Sequence, residues 1–178
     1  MKPIITTDRL IIRELQPDDA AGIFRLDSNP AVHEYLGKSP ITTLEEAQNA
    51  ISFIRKQYET NGIGRWAMVL KDSNEFIGWT GLKLINTEEV NGHRNFYDLG
   101  YRLVQEHWRK GYGFEAASAC LEYAFSVMKL EKVYASVEKG NIGSNTILQK
   151  LQPAHTESFL DDGVETIWFE FQNNKIGS

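Results

Sequence analysis

Disulfide chemistry is missing from this chain: its single cysteine, Cys120, excludes an internal bridge. The four histidines are scattered, and no set of His and Cys has the spacing of a zinc site, so no metal is expected. No apolar run approaches the roughly 20 residues needed to span a bilayer. The first seven residues also lack the apolar core of a signal peptide, so the expected address is cytoplasmic and no membrane partner is expected. Positive charge is in deficit, with 19 Lys and Arg against 24 Asp and Glu and a net charge of −5. That balance argues against general nucleic-acid affinity, although a local basic pocket is compatible with it. Internal repeats and low-complexity linkers are absent.

What remains is ordinary globular material, 42% hydrophobic and 24% charged over 178 residues. That length suits one well-buried domain, expected over 1–178 with a core at about 6–171 and a frayed tail from 172. The β-branched run at 9–15 predicts a strand, and Pro17 with Asp18 and Asp19 predicts a short helix to about Asp27. A further helical turn through Val32 and Tyr35 should end at Gly37. Thr43 and Glu46 stand at capping-box spacing ahead of a helix that ends near Gly62. Strands at 66–70 and 76–84 form a hairpin, and Gly78 and Gly81 in the second mark a bulge, a close approach or a simple bend. A polar loop at 87–94 leads to a strand at 96–104. A long helix follows from Gly111, with Ala117, Leu121, Ala124, Phe125 and Met128 on one face and Cys120 on its apolar side as a small core residue. A strand at 133–137, a helix capped by Asn141 and a hairpin about Asp162-Gly163 complete the order. The fold class is α+β (mixed α/β): a central, mostly antiparallel twisted sheet of about seven strands flanked by helices.

Chemistry concentrates at 98–116, DLGYRLVQEHWRKGYGFEA. Glycines at 111 and 113 let the backbone turn tightly where a helix begins, so unpaired N–H groups can face one point. The helix dipole, Arg109 and Lys110 add positive charge, and a phosphate is the natural partner of such a nest. A bland turn that merely starts a helix is the alternative. The loop is not a Walker A loop, and it lacks the third glycine of a dinucleotide fingerprint.

The segments WRKGYGFEA and DLGYRL, the pair Asn141 and Ser144, and the opening TTDRLIIREL together resemble the GCN5-related N-acetyltransferases (GNAT), in particular the RimJ/RimL-like subgroup. The resemblance runs from about Thr6 to Phe171. It implies acetyl-CoA as cosubstrate and an amine acceptor, and it leaves room for a homodimer. Its pyrophosphate would sit at Trp108, Arg109, Lys110, Gly111, Tyr112, Gly113 and Phe114. Its pantetheine arm would pair with the strand at Tyr101, Arg102 and Leu103 and bond Asn141. The chemistry implied is direct attack of a primary amine on the thioester in a ternary complex. An N–H at or beside Leu103 would serve the oxyanion.

Asp98 is the candidate base, with a solvated strand-edge acid as its bland alternative. The family's acidic tyrosine is replaced by Leu148, which leaves Ser144 as the candidate acid for the thiolate; helix capping is its alternative. Trp108 stands where the family usually has Gln or Arg. Lys150-Leu151-Gln152-Pro153 replaces the family's Lys-Leu-Gly-Phe. The preferred acceptor is a protein or peptide α-amino group. The alternatives are a small amine such as a polyamine, amino acid or antibiotic, or a non-catalytic acyl-CoA-binding module. Trp66, Trp79, Tyr97 and Tyr35 could line an acceptor cleft or be core. His93 and His107 flank the central strand without an evident orienting partner.

Overall fold

The computed structural model describes residues 4–174. Eight strands form one sheet in the order β1-β2-β3-β4-β5-β6-β8-β7. They are β1 Ile5–Thr6, β2 Leu10–Glu14, β3 Arg65–Leu70, β4 Phe76–Ile85, β5 Phe96–Leu103, β6 Lys132–Glu138, β7 His155–Asp161 and β8 Val164–Gln172. One strand more than expected appears because β1 is two residues long, too short for alternation to register. Neighbours pair antiparallel except β5 and β6, which run parallel and meet in register only at Asp98 and Tyr134. Beyond that pair the two central strands part.

The helices are α1 Ala20–Asp27, α2 Leu44–Asn61, α3 Tyr112–Ser126 and α4 Ile142–Lys150. α2 begins as its sequence dictates: the Thr43 hydroxyl accepts from Glu46 N–H and the Glu46 carboxylate accepts from Thr43 N–H, while Gly62 ends it at φ 70°. Residues 30–38 form successive turns rather than a helix, and Gly37 closes them with φ 82°. α1 and α2 cover one face of the sheet through Leu15, Ile23, Ala47, Ile51, Ala67 and Val69. α3, with Leu148 of α4, covers the other, over Leu10, Ile12, Met68, Leu82, Leu99 and Phe169. Each buried aliphatic side chain of this kind contributes about 1.5–3 kcal/mol.

The β7–β8 hairpin turns through Asp162 at φ 45° and Gly163 at φ 83°, the two positive angles a two-residue turn of matching twist needs. The expected fraying at 172–178 is corrected in part. Gln172 closes β8, and Asn173 is buried with its amide donating to Phe125 O at 3.1 Å and Leu130 O at 3.0 Å. Positions 175–178 lie outside the described residues.

Candidate active site

After β5 the chain makes a short 3-10 turn at Gln105–His107, then reverses into α3. Arg109 at φ 59° and Gly111 at φ 83° both take left-handed backbone angles. For glycine that costs no Cβ contact; for arginine it is strained. The reversal leaves the N–H groups of residues 109–114 without an acceptor among the described residues, and the first return bond is Glu115 N–H to Gly111 O at 3.1 Å. Six donors are therefore left at the positive end of a four-turn helix, beside two exposed cations. The arrangement fits a pyrophosphate.

Two braces hold this turn, and neither was foreseen. Arg9 donates from Nη1 to Lys110 O at 2.9 Å and from Nε to Glu115 at 2.7 Å, and its guanidinium lies 4.3 Å from the Tyr112 ring centre. Glu115 also accepts from the Thr7 hydroxyl at 2.6 Å and the Arg9 N–H at 2.9 Å. Burial pushes its carboxyl up, but these hydrogen bonds outweigh burial and hold it below the usual range. Trp108 is the second brace: its indole donates to Leu103 O at 2.9 Å and its N–H to Gln105 O at 3.1 Å. Both of its donors are taken, and these bonds fasten the end of β5 to the turn. Gly113 is needed for contact, because a Cβ there would lie 3.0 Å from Ile147 Cδ1 and 3.4 Å from Leu103 Cδ1.

Of the three strand residues expected to pair with pantetheine, two face the parting. Val104 N–H donates to Ile77 O, and main-chain direction alternates along a strand, so the main-chain groups of Arg102 face β4. Those of Tyr101 and Leu103 face β6 beyond its last pairing. The main chain of Arg102 is thus turned away from the parting. Its side chain instead ion-pairs with Asp27 at the end of α1, 2.6 Å away, and lies 5.0 Å from the Trp79 ring. With the Leu103 carbonyl held by Trp108, its N–H is the free group there.

After β6, Asn141 caps α4 by accepting Ser144 N–H at 3.2 Å. Asn145, also unforeseen, pins the same loop by donating to Asn141 O at 2.7 Å and Glu138 O at 3.0 Å. The Ser144 hydroxyl lies 2.8 Å from the Tyr101 hydroxyl, which also donates to Ser144 O at 3.1 Å. Burial pushes the Tyr101 phenol up to about 12 against the opposing hydrogen bond from Ser144. Pairing of the two hydroxyls was invisible in sequence, since 43 residues separate them. Leu148 is core. Gln152 keeps a left-handed φ of 57°, so the backbone course that a glycine would favour survives the substitution.

Asp98 is not a solvated edge acid. Its carboxylate pairs with the Arg65 guanidinium, whose Nη1 also donates to Asp98 O at 2.7 Å and Gly81 O at 2.6 Å. Burial pushes the Asp98 carboxyl up, and Arg65 and Lys83 oppose it. Trp66 is core, edge-on to Tyr123, while the Trp79 ring centre lies 5.3 Å from the Arg65 guanidinium carbon and 5.0 Å from that of Arg102. His93 stacks on Trp168, and His107 reaches Glu75 at 3.2 Å, so both have partners away from Asp98. Cys120 is buried beside Thr80 with its thiol pushed up to about 12 by burial, as expected of an inert core residue.

The model of the acetyltransferase (GNAT) domain matches residues 9–152. An uncharacterized N-acetyltransferase of Bacillus subtilis (strain 168), YoaA, is 34% identical over 151 residues, spanning 85% of this chain and 82% of the relative. Spermidine N(1)-acetyltransferase of Escherichia coli (strain K12) is 26% identical over 141 residues, spanning 79% of this chain and 70% of that enzyme. Among solved structures, RimL, the ribosomal L7/L12 alpha-N-protein acetyltransferase in complex with coenzyme A, superposes with a TM-score of 0.78 over 96% of this chain and 98% of that one. At 15% identity that likeness concerns the fold.

Proposed function

The chain belongs to the acetyltransferase (GNAT) family, and from that premise we propose that this acetyl-CoA-dependent N-acetyltransferase acts on the α-amino group of a protein or peptide. The observation that carries the cofactor side of this reading is the turn at 109–114, with its six unaccepted N–H groups, leading to a strand edge freed where β5 leaves β6. Pyrophosphate at that turn and pantetheine along Tyr101 and Leu103 would bring the thioester toward Asp98 and the Tyr101–Ser144 hydroxyls.

In the transfer step the neutral amine attacks the thioester carbonyl carbon. A C–N bond forms and the C–S bond breaks. Asp98, directly or through water, accepts the ammonium proton, and Ser144, beside the Tyr101 hydroxyl, passes a proton to the departing thiolate as its own hydroxyl takes one up from water. A main-chain N–H at Leu103 or beside it is the donor for the oxyanion. Asn141 meets the pantetheine arm through its amide nitrogen.

A peptide terminus is favoured on two grounds. Its amine titrates near 8, roughly two units below an alkylamine, so more of it is neutral at physiological pH. In addition, Asp27 and Asp98 on the α1–α2 face are each held by a guanidinium, which leaves those carboxylates poorly placed to gather a polycation. The second reading, a polyamine acceptor, is favoured by the likeness to spermidine N(1)-acetyltransferase. Incubation with acetyl-CoA and either a peptide panel of varied first residue or spermidine, read by mass spectrometry, separates them. Acetylated peptide N-termini with unmodified spermidine are expected, and the reverse overturns the peptide reading. Tight CoA binding without turnover on any amine would favour a non-catalytic module. A cytoplasmic site of action belongs to the same proposal; among the described residues no helix is long and apolar enough to cross a membrane.

A further inference from the structure

Arg65 opens β3 in register with Gly81 of β4, which is in turn in register with Gly100 of β5. The missing side chain of Gly100 leaves room over β5, and the arginine side chain lies in it. A Cβ at Gly100 would fall 2.7 Å from Nη2 and 2.8 Å from Cζ of Arg65. From there the guanidinium reaches over β4 to β5, donating to Gly81 O, to Asp98 O and to the Asp98 carboxylate, with the Trp79 ring 5.3 Å from Cζ. The base of the side chain is fixed as well, because the Tyr58 hydroxyl donates to Arg65 O while accepting from Leu15 N–H at 3.1 Å. The Arg65 side chain is 12% exposed and that of Asp98 19%. Asp98 is the residue of β5 that stands in register with β6, at the point where the strands part.

We infer that Arg65 is a positioning residue for the transfer reaction: it fixes the main chain and the carboxylate of Asp98 together at the strand fork. This rests on the reading of Asp98 as the base. A side chain that held only the sheet together would have no need to engage the carboxylate, and one that served only as counter-charge would have no need of two main-chain carbonyls. The same contact governs ionisation. Asp98 faces Arg65 from β3, Lys83 beside it on β4, and the Tyr134 ring on β6, beyond which Glu170 of β8 is paired with Lys132. Burial favours the protonated acid and the guanidinium favours the carboxylate. Loss of Arg65 therefore drives the midpoint of Asp98 upward, which would leave less base at neutral pH.

The test is a carbon-13 NMR titration of the side-chain carboxyl carbons in the CoA-bound protein, with Asp98→Asn to assign the signal. Alongside it, the pH profile of kcat/KM is measured for acetyl transfer to a panel peptide. Arg65→Gln should raise the Asp98 midpoint, and with it the acid limb of the profile, by about one pH unit or more, a scale set by loss of an opposite charge at contact distance. Arg65→Lys, which keeps the charge but not the three-point fork, should move both by less and should fold if Arg65→Gln does not. An Asp98 midpoint unchanged in both variants would overturn the inference about Arg65. A full rate and intact acid limb in Asp98→Asn would instead overturn the base reading, whatever the titration gives.

Discussion

At the turn of 109–114, main-chain N–H groups are left without acceptors, whereas at the fork around Asp98 the side chains are already matched, guanidinium to carboxylate and guanidinium to carbonyl. The first region is built from backbone geometry and asks for an anion to complete it. The second is built from side chains that complete one another, and it offers a held carboxylate rather than a vacant one. A binding site made of main-chain donors tolerates changes of side chain and not of φ. A chemical site made of ion pairs tolerates neither partner's loss, since each leaves the other buried and uncompensated.

The comparison breaks first where the two regions share a strand. Gly78→Ala would place a Cβ on the Arg102 carbonyl at a backbone φ of 149°, which forces β4 from β5. A loss of about 3 kcal/mol or more is expected in urea unfolding, and both regions should fail together. Gly111→Val comes next: its φ of 83° and the Arg9 guanidinium 3.2 Å from a Cβ should cut acetyl-CoA affinity by about 10–100-fold in calorimetry, equivalent to roughly 1.4–2.7 kcal/mol. The fork should be untouched, so the Asp98 titration stays where it was.

Ser144→Ala and Tyr101→Phe sharpen the chemical end. Each should lower kcat by about tenfold or more with little change in acetyl-CoA affinity, and the double variant should lose no more than the worse single one if the hydroxyls act as a unit. Glu115 supplies the pH test of the turn. Its carboxyl is held below its unfolded value, so its contribution is complete above about pH 4.5 and is lost as pH falls through the lower folded value. Thermal unfolding between pH 6 and 3 should show that loss in the native protein and not in Glu115→Gln. The smallest effect is Arg109→Gly, which removes strain at φ 59° and should raise stability by about 0.5–1 kcal/mol while weakening acetyl-CoA binding only through the lost charge.

The legibility of the two regions in sequence differs for the same physical reason. A glycine at 111, a capping box at Thr43 and Glu46 and a turn at Asp162-Gly163 are local statements about backbone angles, and the structure carries each of them, whereas Gly113 serves contact with Ile147 and Leu103. β1 escaped because two residues cannot show a period. The Arg65–Asp98 pair, the Tyr101–Ser144 hydroxyls and the Arg9–Glu115 brace join residues 33, 43 and 106 positions apart, so only strand order brings them together. The glycine at 100 was the available clue to the first of these, since a missing side chain in a central strand asks what fills its place. The direction of Arg102 needed the register of β4 with β5, and the second role of Trp108 needed the position of Leu103 O.

The most direct test of the central claim is the amide chemical-shift map of the nitrogen-15-labelled protein as CoA is added. The account predicts large shifts at the N–H groups of Arg109, Lys110, Gly111, Tyr112, Gly113 and Phe114 and at Leu103, with Arg102, whose N–H faces β4, moving least along that strand. Saturable CoA binding that leaves the 109–114 amides unmoved would contradict it.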